Sequence, residues 1–143
     1  MAIKVIEHGT SAYHEMVALR MEILRKPLGL TFSTDELDKE KKDLLIGAYE
    51  EDKLLACCIL TPLSRNSYKL RQMAVHQKMQ RLGIGAAMMH FAENVARDAG
   101  FNTIIINART TAIGFYEKMG YTIHGNEFVE VGLPHVEMQK KLI

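Results

Sequence analysis

The sequence predicts an α/β (α+β) domain in which a mixed, mostly antiparallel sheet is flanked by helices. Segments with strand and helix patterns follow one another in the order β-α-α-β-β-β-α-β-α-β-β. A glycine-containing loop, "QRLGIG", joins a central strand to a long helix, which is typical of a parallel crossover in an otherwise antiparallel sheet. At 143 residues the chain is long enough for one core and too short for two, so we expect a single domain over 1–143.

The first quarter of the chain predicts a strand and two helices. "IKVIEH" alternates weakly as a strand, and Ser11–Leu24 places apolar residues at helical spacing. Pro27 and Gly29 end that helix within "RKPLGLTF". Ser33–Glu36 forms a capping box for a short helix that reaches about Lys42, and its charged run "DELDKEKKD" is interpreted as a solvated face.

The middle of the chain predicts a hairpin and a third central strand. "LLIGAYE" and "KLLACCILTP" flank the polar turn Glu51-Asp52, and "SYKLRQMAV" follows as the strand before the glycine loop. Cys57 and Cys58 are adjacent, and neighbouring strand residues point to opposite faces. We therefore expect two buried thiols in a reducing compartment and no disulfide between them.

The C-terminal half predicts two more helices and three strands. An apolar stripe starts at Ile84 and its helix ends near Gly100. "FNTIIINA" is the β-branched run expected of a strand covered on both faces. "TTAIGFYEKMG" is a shorter helix closed by Gly120, and "YTIHG" and "HVEMQKKL" are the last strands.

Composition narrows the classes of partner. The 18 lysines and arginines nearly balance the 17 aspartates and glutamates, so the overall charge gives no support for a nucleic-acid or acidic-membrane partner. The N-terminus lacks the apolar core of a secretory signal, and no apolar run approaches the ~20 residues of a spanning helix. We expect a soluble, cytoplasmic protein.

The glycine loop allows several interpretations. Because a helix N-terminus presents free N–H groups and partial positive charge, a glycine loop before it suits phosphate. A Walker loop would need Lys-Ser/Thr after Gly85, and a dinucleotide fingerprint would need a third glycine at Met88, so both fit poorly. A Gln/Arg-x-x-Gly-x-Gly/Ala turn that grips the pyrophosphate of coenzyme A matches Gln80, Gly83 and Gly85. A tight structural turn would explain the same glycines.

The surroundings of the loop add a family resemblance. "LRQMAVHQKMQRLGIGAAMMHFAENVARDAG" followed by "NARTTAIGFYEKMGY" closely resembles the general-control-related N-acetyltransferase (GNAT) superfamily. The resemblance is strong over about Leu70 to Tyr121, and the predicted element order extends it across the chain. The tail "FVEVGLPHVEM" further resembles the ElaA-like acetyltransferases.

The resemblance implies acetyl-CoA as cosubstrate. Met73, Ala74 and Val75 would meet the pantetheine and the acetyl carbonyl where the strand parts from its neighbour. Asn107 would hydrogen-bond the pantetheine arm and Phe115 would pack along it. The segment implied to wrap the pyrophosphate consists of Gln80, Arg81, Leu82, Gly83, Ile84, Gly85 and Ala86, with Arg81 adding a side-chain charge.

The implied chemistry is direct attack of a primary amine on the thioester. Tyr116, also beside the cofactor, is the family's candidate general acid, although an aromatic anchor in the core would look the same in sequence. Glu127, Glu130 and His135 are candidates for the base near the acceptor side, and a structural histidine beside a proline is an equal alternative for His135. The six histidines and two cysteines show no metal-ligand spacing, so we expect no metal.

Other expectations concern the acceptor, a small-molecule or peptide amine. Arg20 and Arg25 would contact an anionic acceptor or lie on the helix surface, and Arg109 would meet the phosphates or a substrate acid. His76 is expected at the surface. Acceptor specificity is expected from the loops "RKPLGLTF" and "GNEFVEVGLPH", and a homodimer is common for such small domains. The alternatives to an N-acetyltransferase are a coenzyme-A-binding sensor without transferase activity and, more remotely, a nucleotide binder.

Overall fold

The protein is built on one seven-stranded sheet. The computed structural model describes residues 1–80 and 82–142. The strands run in the spatial order β1-β2-β3-β4-β5-β7-β6, and every neighbouring pair is antiparallel except β4 and β5. Their bounds are β1 Ala2–Ile6, β2 Leu44–Glu50, β3 Lys53–Pro62, β4 Ser67–Val75, β5 Thr103–Arg109, β6 Thr122–Glu130 and β7 Leu133–Lys141.

In the described part of the chain four α-helices flank the sheet, which confirms the predicted order of elements. They are α1 Ser11–Arg20, α2 Thr34–Asp38, α3 Ile84–Asp98 and α4 Ile113–Lys118. The first helix continues as a π-helical turn over Met21–Arg25, so the predicted helix changes its pitch after Arg20. The capping box of α2 is present at Ser33 and Glu36, where each side chain meets the other's backbone N–H.

Each face of the sheet carries its own apolar core. On the face covered by α3, Met88 and Met89 pack with the strand residues Ile104 and Met138. On the face covered by α1, the buried residues include Tyr13, Met16, Leu19, Cys57, Ile59 and Ala74. Cys57 and Cys58 are both buried and free, as expected from their opposite directions on β3.

Strands β4 and β5 are parallel over only part of their length. Register pairing runs from Ser67↔Thr103 to Leu70↔Ile106 and then stops, although both strands continue. On its other side β4 stays paired with β3 but contains a bulge, where Gln72 adopts a positive φ of 55°. The bulge bends the strand locally, and a gap therefore opens between the ends of β4 and β5.

The charged run after α1 is not wholly a solvated face, and the prediction was wrong on this point. Glu40 is only 2% exposed. Its carboxylate accepts hydrogen bonds from Arg20 at 2.8 and 2.7 Å and from the Tyr13 hydroxyl at 2.6 Å. A buried arginine requires a paired anion, and Glu40 supplies it from the turn after α2.

The segment "GNEFVEVGLPH" is a strand hairpin, where the sequence suggested a loop. Strand β6 continues to Glu130 and β7 begins at Leu133, with the turn at Val131-Gly132. Because β6 is an edge strand and is exposed at eight of its nine residues, it lacks the alternation of buried and exposed positions that identifies strands in a sequence.

Candidate active site

The gap between β4 and β5 belongs to a cavity of about 580 Å³. Its walls come from both strands, from α4, from the β6–β7 hairpin and from the π-helical turn after α1. Met73, Asn107, Tyr116, Glu130 and His135, five residues singled out from the sequence, all line it. The cavity therefore collects the predicted acid, two of the three predicted bases and two cofactor contacts in one space.

The glycine loop leads directly into the N-terminus of α3. Gly83 is the N-cap residue, in the left-handed region at φ 81°, and no described side chain caps the helix there. The first amides of a helix have no partner within it, so they are available to an anion. The Gln80 side chain donates a 3.1 Å hydrogen bond to the carbonyl of Val75 and so ties the loop to the end of β4. Arg81, predicted to add charge here, lies outside the described residues.

Two exposed apolar side chains flank this helix start. Leu82 is 67% exposed and Phe115 is 39% exposed. A Cβ atom added at Gly85 would lie 3.4 Å from Phe115 Cζ, so the aromatic ring already sits against the first turn of α3. Both are exposed next to the start of α3, which suits a ligand with both an apolar arm and phosphates.

Tyr116 is a core residue that also lines the cavity, and its role as acid stays a prediction. Its ring belongs to the core and packs edge to face on Phe115 and Tyr121, at centroid distances of 5.1 and 5.9 Å. The same residue lines the cavity. Burial, with a smaller contribution from the nearby Cys58 thiol, raises the pKa of Tyr116 to about 12. The phenol is therefore fully protonated at neutral pH.

Glu130 links two other residues of the cavity. Asn107 Nδ2 donates to Glu130 Oε1 at 3.1 Å, and His135 Nε2 lies 3.6 Å from Glu130 Oε2. His135 is buried, stacks on Phe128 and has its Nδ1 atom 2.9 Å from the Leu133 carbonyl oxygen. Since a carbonyl only accepts hydrogen bonds, the ring proton belongs on Nδ1, and Nε2 is left free to take a proton.

The remaining predicted residues lie in different surroundings. Glu127 is exposed and does not line the cavity. Arg20 is fully buried in its pair with Glu40, so neither an acceptor contact nor a helix-surface position describes it. Arg25 and Arg109 do line the cavity. His76 is half-buried, and its Nδ1 atom accepts from the Lys78 N–H at 3.3 Å, in the turn that precedes the loop.

Sequence reasoning missed three polar residues of the cavity wall. Lys69, Arg71 and Gln72 lie on β4 and line the cavity. The available signal was the alternation of Lys69 and Arg71 with the apolar Tyr68 and Leu70, since a strand covered on both faces is mostly apolar.

Within residues 1–80 and 82–142, no three His, Cys, Asp or Glu side chains are grouped as metal ligands would be. None of the helices in that part of the chain is long and apolar enough to cross a membrane.

Comparisons with known proteins identify the family. Residues 31–142 match the family described as "Acetyltransferase (GNAT) domain". The uncharacterized N-acetyltransferase YjcF of Bacillus subtilis is 32% identical over 108 residues, which cover 74% of each chain.

Solved structures share the fold at low identity. An aminoglycoside 6′-N-acetyltransferase complexed with coenzyme A has a TM-score of 0.84 at 17% identity. The match covers 100% of this chain and 98% of the aminoglycoside acetyltransferase chain. A GNAT family acetyltransferase from Elizabethkingia anophelis with acetyl-CoA bound has a TM-score of 0.75 at 18% identity, covering 98% and 97%.

The fold and the matches define the class of the protein as an acyltransferase. The chain belongs to the GNAT superfamily of N-acetyltransferases, as the resemblance around the glycine loop predicted. The ElaA-like subgroup stays a prediction.

Proposed function

We propose that this chain transfers the acetyl group of acetyl-CoA directly to a primary amine of a small molecule or peptide. The observation that carries the proposal is the gap between β4 and β5, which lies along the end of β4 that the Gln80 side chain ties to the loop before α3. Backbone groups of β4 beyond Leu70 lack a partner on the β5 side there. A pantetheine arm laid in the gap would satisfy them, while the helix amides would receive its pyrophosphate.

The loop and its neighbours would hold the cofactor. Met73, Ala74 and Val75 would offer backbone hydrogen bonds along β4, and the segment from Gln80 to Ala86 would surround the phosphates. Leu82 and Phe115 would cover the apolar parts of the ligand. Asn107 would reach the pantetheine from β5 while it keeps its bond to Glu130.

Tyr116 would stabilise the departing thiolate. The thiol of coenzyme A should titrate near a free cysteine, about 8.5, whereas the pKa of Tyr116 is raised to about 12. Complete transfer of the phenol proton to the thiolate is therefore unfavourable. The hydroxyl instead acts as a hydrogen-bond donor toward the sulfur as the C–S bond breaks, a form of electrostatic stabilisation.

His135 would take the proton that the amine gives up. An amine with a pKa of about 10.4 is free in only roughly one molecule in a few thousand at pH 7, so a base is needed. His135 Nε2 takes one proton from the ammonium form, and the freed nitrogen then attacks the carbonyl carbon. As the C–S bond breaks, the second proton on nitrogen passes to the departing thiolate. Glu130, 3.6 Å away, stabilises the resulting imidazolium.

Isothermal titration with acetyl-CoA and with coenzyme A tests the cofactor site. Gly83→Ala forces a Cβ atom into the left-handed region at the N-cap, and Gly9→Ala does the same at an identical φ of 81° in the turn before α1. Both should lose about 1 kcal/mol of stability. Only Gly83→Ala, together with Gly85→Val, which crowds Phe115, should weaken binding, by about tenfold or more.

Equal affinity in the wild type, Gly83→Ala and Gly85→Val would mean that the glycines only shape a turn. Transfer is measured separately, as thiol release over a panel of amines. Binding without acetylation of any amine would favour the sensor alternative. Unchanged turnover of His135→Gln would remove His135 from the role of base.

A further inference from the structure

The cavity has a cationic lining. Its walls include four basic residues and one acidic residue. The basic residues are Arg25, Lys69, Arg71 and Arg109, and the acidic residue is Glu130. The whole chain is nearly balanced, with 18 basic and 17 acidic residues, so an excess of three positive charges (4 − 1) is specific to this space. A cation-rich cavity attracts anions and repels acceptors with additional positive charge.

The cations come from two adjacent strands and share one face of the sheet. On β4, Lys69 and Arg71 alternate with Leu70, which belongs to the core under α3. On β5, Arg109 alternates with Ala108, which belongs to the same core. All three basic side chains therefore leave the sheet on the face covered by α1.

Lys69 and Arg109 have charges that the described residues do not neutralise. Arg25 is 3.2 Å from Glu36, and Arg71 is 3.9 Å from Glu40. Within residues 1–80 and 82–142, by contrast, neither Lys69 nor Arg109 has an acidic oxygen within 4.0 Å or donates a side-chain hydrogen bond to an acidic residue. These two half-buried cations are available to a ligand.

A buried network lies next to the third cation, Arg71. The Glu40 carboxylate accepts hydrogen bonds from both terminal nitrogens of Arg20 and from the Tyr13 hydroxyl. It also forms a longer ion pair with Arg71. Charge-assisted bonds of this kind hold side chains in fixed positions. Arg71 thus lies at the edge of a network that joins α1 to the turn after α2.

The register of β5 and β7 places Arg109 beside His135. Arg109 is the direct cross-strand partner of His135, and such partners have Cα atoms about 5 Å apart. Because facing residues of neighbouring strands leave the sheet on the same side, one small molecule can present an anion to Arg109 and an amine to His135.

We propose that the acceptor is a small amine that also carries an anionic oxygen group, a carboxylate or a phosphate. Lys69, Arg71 and Arg109 bind the anion, and the amine is directed to His135 and Glu130. The proposal rests on the proposed acetyl transfer and specifies its acceptor.

Matched pairs of amines test the charge preference. Glycine is compared with glycinamide, β-alanine with β-alaninamide, and O-phosphoethanolamine with ethanolamine, each with saturating acetyl-CoA. The anionic member of at least one pair should have a kcat/KM about tenfold or more above its neutral partner, since hydrogen bonds to charged groups carry effects of that size. The pair with the larger ratio distinguishes a carboxylate from a phosphate acceptor.

Charge-matched variants locate the effect. Lys69→Met and Arg109→Met should raise KM about tenfold for the preferred anionic amine, with acetyl-CoA affinity unchanged. Lys53→Met and Arg65→Met remove the same charges at exposed positions that do not line the cavity, and they should change neither. Equal or better use of the neutral amines, or equal effects in the controls, would overturn the proposal.

A second measurement separates this proposal from the transfer reaction. Inorganic phosphate and acetate are titrated into the protein saturated with coenzyme A and followed by NMR. Shifts that weaken in Lys69→Met and Arg109→Met support the anion site even if no amine is acetylated, in which case only the proposed transfer fails. The absence of any shift in the wild type overturns the anion site.

Discussion

Strand β5 pairs with its two neighbours to very different extents. Along β7 its register runs through all seven residues, from Thr103↔Lys141 to Arg109↔His135. Along β4 it covers only four, and Ile106 is the last to be paired. We call the first boundary the closed seam and the second the open seam. Ile106 belongs to both, with Met138 on one side and Leu70 on the other.

The difference separates stability from function. The closed seam satisfies its backbone internally and packs Val136 and Met138 into the core. The open seam leaves backbone groups of β4 without a partner on one side, which costs stability unless a ligand or water supplies one. A residue on the closed seam should therefore affect unfolding, and one at the open seam should affect turnover.

The largest effect is expected from Met138→Ala on the closed seam. Met138 has no exposed surface, so its truncation leaves a cavity in the core and should cost about 2–5 kcal/mol of the free energy of unfolding. Chemical denaturation measures that loss. Val129→Ala, at a residue 74% exposed on the edge strand β6, is the control and should change stability by about 0.5 kcal/mol or less. Similar losses in both would show that the closed seam is not the stabilising one.

The next effect is expected from Tyr116→Phe, in the helix α4 that lines the cavity at the open seam. The variant keeps the aromatic packing on Phe115 and Tyr121 and removes only the hydroxyl. We expect kcat to fall about 100-fold, as for the loss of one donor to a developing anion, with little change in acetyl-CoA affinity. Steady-state kinetics and titration measure the two separately. Wild-type kcat would remove Tyr116 from the chemistry and leave it as a core residue.

The sequence predicted the closed parts of this fold better than the cavity wall. Helical and strand periodicity, the glycine loop and the motif around Tyr116 each involve residues that are close together in the chain. Such local patterns can be identified from the sequence alone. The pair of Arg20 and Glu40 joins residues 20 positions apart, and only the tertiary fold brings them together. Lys69 and Arg109 likewise line one cavity only because β4 and β5 are adjacent, which no spacing rule shows.

The smallest expected effect concerns alkaline pH and uses the same Tyr116→Phe variant. In the unfolded chain a tyrosine ionises near pH 10, whereas folded Tyr116 keeps its proton to about 12. Between these values the unfolded state binds fewer protons, so the free energy of unfolding falls as pH rises, by about 1 kcal/mol at pH 11 from this residue. Tyr121, whose pKa burial and the Glu93 carboxylate also raise, adds to the loss in both proteins.

Denaturation of the wild type and Tyr116→Phe at pH 8 and pH 11 isolates the contribution of Tyr116. The wild type should lose about 1 kcal/mol more than the variant over this interval. Identical losses would mean that the hydroxyl is hydrated well enough to ionise normally, and the open seam would then admit water as far as the ring. A larger loss in the wild type would show that the phenol is held dry and protonated beside the gap, the condition under which it donates to a thiolate rather than exchanging protons with solvent.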